Sequence, residues 1–251
     1  MHQISAVIIT HNEENRIRPT LESVSWCDEI IIVDSYSTDK TTAICMEYGN
    51  CKVYVQPFLG YGAQKKFAVE KASCNWILSI DADEVVTEAL RQEIIAKLAL
   101  PAITEAGFYI PITLIFMNRV FRYGSENRYL HLRLFNKNKG NFNLLNLHEG
   151  VKVEGSLSKL KGELLHSSYL DLYHCIKKYN EYSSIYKDDA IKKGRKVGKF
   201  RTLIRFHWEF VRQYIVRRNL LNGYPGLVWS VFCSFYVFIK YTKLYEANLK
   251  K

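Results

Sequence analysis

Four short apolar runs rich in β-branched residues alternate with segments of helical spacing, and this alternation constrains the fold more than any other feature. The apolar runs cover residues 4–10, 29–33, 52–55 and 76–80. Segments with helical spacing follow at 14–26, 39–49 and 62–72, and Thr87 can cap a fourth that ends before Pro101. Strict β-α alternation predicts a mostly parallel, Rossmann-like sheet with right-handed crossovers and helices on both faces.

The character of the chain changes after this α/β part. Short β-like pieces at 107–112, 130–135 and 151–153 are separated by loops with Gly and Asn, which predicts an α+β continuation. From residue 171 the chain has helical spacing and is strongly basic. We therefore predict an α/β domain over residues 1–170 and a basic helical extension over residues 171–251.

The charge balance and the cysteines indicate which kinds of binding partner and which cellular compartment to expect. Lys and Arg number 35 against 25 Asp and Glu, which favours anionic partners such as nucleic acid, anionic lipid or phosphorylated substrates. The six cysteines form no C-x-x-C pair, which argues against a zinc site and predicts reduced thiols. No charged leader or long apolar stretch precedes the first strand, so we expect no signal peptide and a cytoplasmic location.

Polar clusters follow three of the predicted strands at the point where each strand ends. They are Thr10–Glu14, Asp34–Asp39 and Asp81–Glu84. Ligands of parallel α/β sheets bind beyond the carboxyl ends of the strands, so these clusters predict one site. Glu13 and Glu14 have an alternative interpretation as acids in the first turn of the following helix.

The cluster after the fourth strand has the pattern D-x-D, formed by Asp81 and Asp83. Hard divalent cations such as Mg²⁺ and Mn²⁺ prefer oxygen ligands and can also bind substrate phosphates. The pattern therefore fits a metal that stabilises a nucleoside diphosphate leaving group. A solvated turn that caps the next helix is the alternative.

These motifs resemble family 2 inverting glycosyltransferases, which have the GT-A fold. The resemblance lies in T-x-N-E at 10–13, D-S-x-S-x-D at 34–39 and D-A-D-E at 81–84. G-Y-G-A-Q-K at 60–65 and the pair His148-Glu149 resemble one branch more closely, the lipopolysaccharide-core β-1,4-glucosyltransferases. The resemblance extends over nearly the whole chain and implies a donor half over about 1–100 and an acceptor half over about 101–170.

The resemblance also implies which residues bind the nucleotide-sugar donor. The expected donor-binding residues are Thr10, Asn12, Glu13, Asp34, Gln64, Lys65, Asp81 and Arg133. Lys65 suits a diphosphate as a point charge, with a solvent-facing helix-start residue as the alternative. Arg133 has two alternatives, a contact to the acceptor and a structural ion pair. Many relatives carry two adjacent acids where this chain has Asp34-Ser35, so the contact to the base stays open.

Two further roles complete the expected site. The resemblance implies Asp83 as the principal metal ligand, with Asp81 and His166 as further ligands; His166 as a structural residue is the alternative. An inverting transfer needs a base within hydrogen-bond reach of the acceptor hydroxyl. We predict Glu149 as that base, with His148 orienting it or contacting the acceptor, and a surface Glu at a strand start as the alternative.

The tail combines charge with apolar residues. Between residues 192 and 218 basic residues are frequent and Glu209 is the sole acid, and an almost wholly apolar run follows at 226–239. A membrane-spanning helix needs ~20 apolar residues, so the run predicts a helix in the interfacial plane of an anionic membrane. The alternatives are a helix packed on the catalytic domain and a nucleic-acid surface. Because no nucleic-acid fold signature accompanies the charge, we expect no nucleic acid partner.

Together these features predict an inverting, metal-dependent glucosyltransferase. The donor would be UDP-glucose, the cofactor Mg²⁺ or Mn²⁺, and the acceptor a heptose of the lipopolysaccharide inner core. The enzyme would be peripheral on the inner face of the bacterial inner membrane. Two alternatives stay open: the same chemistry with another sugar or envelope-glycan acceptor, and a non-catalytic membrane or nucleic-acid binding protein.

Overall fold

The computed structural model describes residues 2–143 and 150–249 of the chain. These residues form two compact units. The first unit comprises Met1–Thr113 and Arg128–His166, and the second comprises Leu114–Asn127 and Ser167–Lys251. The division into a donor half and an acceptor half stays a prediction.

The first unit begins with the predicted β-α alternation. Its strands are β1 (Ile4–Thr10), β2 (Glu29–Asp34), β3 (Cys51–Val55) and β4 (Trp76–Asp81), and its helices are α1 (Ile17–Val24), α2 (Thr41–Met46), α3 (Tyr61–Lys71) and α4 (Glu88–Leu98). The strands pair in parallel in the order β3-β2-β1-β4. The hydroxyl of Thr87 accepts a hydrogen bond from the backbone N–H of Leu90, which confirms the predicted cap of α4.

The α+β continuation is also confirmed and completes the sheet. It contributes β5 (Glu84–Val86), β6 (Gly107–Phe116), β7 (Arg119–Val120), β8 (Tyr129–Asn136), β9 (Gly140–Phe142), β10 (Val151–Val153), β11 (Leu157–Lys159) and β12 (Leu164–His166). Within the described residues the main sheet continues from β4 in the order β8-β6-β12-β5. Strand β8 is antiparallel to both β4 and β6, while β9 and β10 pair separately.

The predicted strands are apolar on both faces because helices cover both faces. Alternate residues of the strands enter two separate clusters, so that Ile8 and Ile32 belong to one and Val7 and Val33 to the other. Helices α1 and α4 contribute to the first cluster, and Ala68 of α3 contributes to the second. The mixed α/β fold class is therefore confirmed.

The register of the parallel strands places the polar clusters at one edge of the sheet. Thr10 pairs with Asp34, and Ile9 pairs with Asp81. The carboxyl ends of β1, β2 and β4 therefore lie side by side, as the strand-end rule requires.

The second unit is mainly helical, as predicted for the tail. It contains α5 (Leu172–Lys192), α6 (Lys199–Val211), a π-helical turn (Arg212–Val216), a 3₁₀ turn (Asn219–Asn222) and α7 (Tyr224–Leu249). Aromatic residues form one of its cores, in which Phe116 and Phe121 pack edge-on against Trp229.

Helix α7 is longer than the apolar run predicted from the sequence. It continues beyond residue 239 to Leu249, and within the described residues it is the one helix long and apolar enough to cross a membrane. The expectation that this segment is too short to span counted only its first part. Its length and composition allow a span, and 22% of its most apolar stretch is buried.

Candidate active site

The loops after β1 and β2 are joined by side-chain hydrogen bonds. The buried carboxylate of Asp34 accepts bonds from the backbone N–H of Ser37 at 2.8 Å and from its hydroxyl at 2.5 Å. The Ser37 hydroxyl in turn accepts from the backbone N–H of Asn12 at 2.8 Å, and the Asn12 amide oxygen accepts from the N–H of Thr38. Asn12 and Asp34 are therefore brought together, as predicted.

Glu13 and Glu14 lie before α1 rather than in it. Helix α1 begins at Ile17 and has no acid in its first turn, so the interpretation as first-turn helix acids is wrong for both. The reason is that their backbone N–H groups donate to side chains after β2, Glu13 to the Thr41 hydroxyl and Glu14 to the Asp39 carboxylate. These bonds hold residues 11–16, between β1 and α1, as a loop at the carboxyl end of β1.

A buried ionic network lies at the end of β4. Asp81 contacts the Lys65 ammonium at 2.9 Å through one oxygen and the Arg133 guanidinium at 2.8 Å through the other. Arg133 also contacts Glu84 at 2.7 Å, and Glu84 accepts a bond from the backbone N–H of Asp81. Lys65 is 7% exposed, so the alternative of a solvent-facing lysine is wrong. The structural ion pair considered for Arg133 is present.

The charges and the burial of this network shift the pKa values of its two carboxylates in opposite directions. Burial opposes ionisation of Asp81, but the positive charges of Arg133 and Lys65 outweigh burial and hold the pKa of Asp81 well below its usual range. Glu84 has no exposed surface, and burial raises its pKa against the attraction of Arg133. Arg133 and Lys65 therefore favour the ionised form of Asp81, whereas burial disfavours the ionised form of Glu84.

Asp83 has a different set of partners from Asp81. One of its oxygens lies 3.1 Å from Arg16, and the other lies 3.3 Å from Nε2 of His166. Arg16 also donates two hydrogen bonds to Glu13, at 2.6 and 2.7 Å. Burial lowers the pKa of His166, but the hydrogen bond and charge of Asp83 outweigh burial and raise it. Asp83 and His166 thus meet, whereas both oxygens of Asp81 contact cations.

The pairing of Asp83 with His166 fits a divalent cation in its chemistry. Carboxylate oxygens suit both Mg²⁺ and Mn²⁺, and a neutral imidazole nitrogen is a common metal ligand. Over residues 2–143 and 150–249, no group of three or more His, Cys, Asp and Glu residues is arranged to hold a metal ion. Two protein ligands are compatible with Mg²⁺, which usually keeps several waters and takes further oxygens from substrate phosphates.

Two polar atoms at this edge of the sheet are buried without a hydrogen-bond partner among the described residues. They are the hydroxyl of Thr10 and Nε of Arg133. Buried polar atoms are normally hydrogen-bonded, and exceptions often mark a place for a ligand or a water. Both atoms belong to residues predicted to bind the donor.

Gln64 is fully buried and joins the loop after β2 to α3. Its amide donates to the Ser35 hydroxyl at 2.8 Å and accepts from the Gln56 amide at 2.5 Å. Gly60 precedes α3 with a φ of 103°, which a residue with a Cβ rarely adopts. This turn starts α3 where Gln64 reaches Ser35 and the neighbouring Lys65 reaches Asp81.

The predicted catalytic residues His148 and Glu149 lie outside the described residues, so their roles stay predictions. The residues on either side of 144–149 are hydrogen-bonded to each other, because the backbone N–H of Asn143 donates to the carbonyl of Gly150 at 3.0 Å. The neighbouring ring of Phe142 lies 5.8 Å from the Lys65 ammonium. Phe142, which precedes residues 144–149 in the chain, therefore lies near the ionic network.

Sequence reasoning did not identify all the residues of this site. Arg16, Tyr129 and His131 were missed, and Glu84 was noted only as part of a motif. Tyr129 approaches Nδ1 of His166 at 3.4 Å, and burial together with the positive charge of Arg133 lowers the pKa of His131. Arg16 follows Glu13 by three residues, and that spacing was the one available signal. Tyr129 and His131 precede Arg133 on β8 at alternate positions, which becomes informative only once β8 is placed next to β4.

The chain matches a known protein family over more than half of its length. The family described as Glycosyl transferase family 2 matches residues 5–153, which include the three strand-end clusters. The chain belongs to glycosyltransferase family 2. A glycosyltransferase of Rickettsia typhi is 35% identical over 262 residues, which cover 100% of this chain and 89% of the relative.

Two further relatives extend this comparison. The lipopolysaccharide core biosynthesis glycosyltransferase LpsC of Rhizobium meliloti is 30% identical to this chain. The match covers 99% of this chain and 94% of the relative. The crystal structure of S. aureus TarS 1–349 in complex with UDP-GlcNAc superposes with a TM-score of 0.52 at 14% identity, over 99% of this chain and 92% of that chain. The protein is thus a glycosyltransferase of the GT-A fold.

Proposed function

We propose that this glycosyltransferase transfers glucose from UDP-glucose, with inversion, to a heptose of the lipopolysaccharide inner core. The observation that carries the proposal is the buried network of Asp81, Lys65, Arg133 and Glu84 beside the Asp83–His166 pair. The name of LpsC supports an acceptor in the lipopolysaccharide core. The UDP-GlcNAc complex of TarS supports a UDP-sugar donor.

In this proposal the donor lies at the carboxyl ends of β1, β2 and β4. Asp34, at the end of β2, contacts the uracil or ribose, and the unpartnered hydroxyl of Thr10 offers a further hydrogen bond. Lys65 and Arg133 bring two buried positive charges to the same edge. A diphosphate gains charge as the sugar departs, and preorganised cations in a site of low dielectric stabilise that charge.

Asp83 and His166 would hold a Mg²⁺ or Mn²⁺ ion in this proposal, and Asp81 would contact the ribose or the same ion. When bound, the ion supplies Lewis-acid stabilisation of the diphosphate leaving group. Arg16 now contacts the Asp83 carboxylate at 3.1 Å, so it would share that carboxylate with the ion or shift its contact to phosphate.

Glu149 is the proposed base, which takes the proton of the acceptor hydroxyl as that oxygen attacks the anomeric carbon. His148 would orient Glu149 or contact the acceptor. The contact of Phe142 with Lys65 supports this role, because it brings a residue close to Glu149 in the sequence near the proposed donor site. Asn143, the next residue, is hydrogen-bonded to Gly150, which follows Glu149. A base has to lie within hydrogen-bond reach of the acceptor, so its segment must border the donor site.

We also propose that the enzyme acts as a peripheral protein on the inner face of the bacterial inner membrane. The charge of +10 and the basic tail support an anionic surface as partner. A glycolipid acceptor would be reached from that surface.

The test is a panel of UDP-sugars with a heptose-terminated core oligosaccharide, with and without Mg²⁺ or Mn²⁺. We expect metal-dependent transfer from UDP-glucose to a heptose and loss of transfer with a chelator. Transfer from UDP-GlcNAc instead would favour the same chemistry with another sugar. If no donor gave UDP release, the transferase proposal would be wrong and the protein would be a non-catalytic binding protein.

The metal role is tested separately by Asp83→Ala. We expect metal-dependent binding of UDP to be abolished. The variant lacks the carboxylate that, beside His166, is proposed to hold the ion. Calorimetric titration of UDP with and without Mn²⁺ measures this loss. Glu88→Ala, which removes an exposed acid of α4, is the control. Undiminished metal-dependent binding in Asp83→Ala would contradict the assignment.

A further inference from the structure

Helix α6 carries large apolar side chains on the face that points away from the unit to which it belongs. Phe200 is 72% exposed, Ile204 69% and Trp208 59%, and Ile215 in the following π-helical turn is 57% exposed. With Val211, these residues recur at intervals of three and four, which places them on one side of a helix. A continuous exposed apolar stripe of this kind marks an interaction surface.

The opposite side of α6 already has its packing partners. Thr202, Glu209 and Gln213 are buried there, and the Phe206 ring contacts that of Phe238 in α7 at 5.8 Å. The exposed stripe is therefore not needed to hold α6 in the second unit. The buried residues of α6, Thr202 and Glu209, are polar, so packing within the unit does not account for the large apolar side chains of the stripe.

A cationic cleft flanks the apolar stripe. It has a volume of about 370 Å³ and is lined by Tyr186, Arg195, Lys196, Val197, Arg201, Arg205, Tyr241 and Leu244. Arg205 donates a hydrogen bond to the Tyr241 hydroxyl at 2.8 Å and lies over its ring. The four charged residues that line the cleft, Arg195, Lys196, Arg201 and Arg205, are all basic.

The charges of α6 point to one kind of partner. Its sole acid, Glu209, is buried and forms an ion pair with Arg212 at 2.6 Å. A second copy of the chain would bring its own cations towards Arg201 and Arg205 without acids on α6 to match them. An anionic bilayer offers phosphates for the cations and an apolar layer for the stripe, and helices with this division of residues lie in the membrane interface.

We propose that the outward face of α6 docks the protein on an anionic lipid bilayer, with Phe200, Ile204 and Trp208 entering the interface and the cationic cleft taking lipid phosphate. The inference rests on the peripheral location proposed above and assigns it to α6 rather than to the apolar run at 226–239. The Arg and Lys side chains stay at the level of the headgroups while the stripe lies below them.

Vesicle co-sedimentation of the full chain tests the proposal. We expect binding to vesicles of equal parts phosphatidylglycerol and phosphatidylcholine, and weak binding to phosphatidylcholine alone. Replacing Ile204 and Trp208 together by Glu should lower partitioning at least about tenfold, because charge enters the apolar layer. Ile185→Glu is the control, since it places the same charge at a 52% exposed position of α5.

A second pair of substitutions tests the cleft. Replacing Arg201 and Arg205 together by Ala should lower partitioning to the anionic vesicles roughly 30-fold, which is about 1 kcal/mol for each cation. Binding to phosphatidylcholine alone should not change. Equal losses on both kinds of vesicle, or no loss on either, would contradict a phosphate-binding cleft.

Tryptophan fluorescence tests membrane docking on the wild-type protein. Because this protein carries no substitution, a folding defect cannot account for the result. Of the four tryptophans, Trp208 is 59% exposed, Trp26 is partly buried, and Trp76 and Trp229 are buried. Anionic vesicles should shift the emission of Trp208 to shorter wavelength, and brominated lipid should quench that emission. The substitution Trp208→Phe should remove both effects. The proposal fails if wild-type protein shows neither, or if it dimerises through the stripe and ignores vesicles. UDP release without vesicles tests the transferase independently of this outcome.

Discussion

Arg133 is the residue on which the buried charges of the site depend, because it is shared by Asp81 and Glu84. Lys65 balances one of these two carboxylates, so the removal of Arg133 would leave the fully buried Glu84 without its cation. The strand-end motifs predicted the acids, but the sharing of one guanidinium between them depends on β8 lying beside β4.

We therefore expect Arg133→Met to lower the free energy of unfolding by about 3–5 kcal/mol, the usual cost of leaving a buried charge unpaired. Urea unfolding followed by circular dichroism measures this change. Arg18→Met is the matched control, since Arg18 forms an exposed ion pair with Glu47 and its loss should change little. Equal unfolding midpoints for Arg133→Met and wild type would contradict the structural importance of the network.

Glu149 is the residue whose role is predicted and awaits a functional test. Glu149→Gln should leave UDP-glucose affinity unchanged and lower turnover by ~10²-fold or more, because the amide cannot accept the acceptor proton. Single-turnover transfer and donor titration separate the two effects. Glu154→Gln, an exposed acid just beyond β10, is the control. Turnover at the wild-type rate in Glu149→Gln would remove Glu149 as the base.

At the level of elements, the apolar runs predicted β1 to β4 well because parallel strands buried on both faces are continuous in apolar residues. Helices α1 and α2 are shorter than predicted. The residues predicted to begin these helices instead lie in loops. The backbone N–H of Glu14 donates to Asp39, and that of Glu13 donates to Thr41, where α2 begins. Hydrophobic spacing cannot reveal such bonds, since the partners lie 25 to 28 residues apart along the chain.

The start of α7 depends on a close approach that only glycine permits. A Cβ at Gly226 would collide with the carbonyl oxygen of Asn219 in the 3₁₀ turn, whereas a Cβ at Gly198 would meet nothing. We expect Gly226→Ala to destabilise the second unit by roughly 1–3 kcal/mol through overpacking. Gly198→Ala, before α6, serves as the control in thermal unfolding. A Gly226→Ala protein as stable as wild type would contradict this packing.

At the level of the whole molecule, ion pairs between elements make stability depend on pH. Glu29 at the start of β2 is buried; burial alone would raise its pKa, but Lys52, Ser5 and Ser73 lower it to about 2 from 4.5. A lowered folded-state pKa adds stability above the unfolded value of 4.5, and this stability is lost as pH falls towards about 2.

We expect Glu29→Gln to remove roughly 3 kcal/mol of stability at neutral pH, which corresponds to that shift in pKa. The difference from wild type should shrink as pH falls from 4.5 to about 2. Urea titrations at several pH values measure it, with the exposed Glu22→Gln as control. A difference that does not depend on pH would show that Glu29 acts through packing rather than charge.

The sequence by itself determined the alternating α/β architecture and the polar strand ends, because hydrophobic period and strand-end position are local properties. Its motifs also carried the resemblance to family 2 glycosyltransferases, which the family match confirmed. Only the tertiary structure decided which charges meet: Arg133 with Asp81 and Glu84, and Arg16 and His166 with Asp83. It also decided that the apolar face of α6 stays exposed. Both depend on which distant elements become neighbours, and a one-dimensional pattern does not encode those distances.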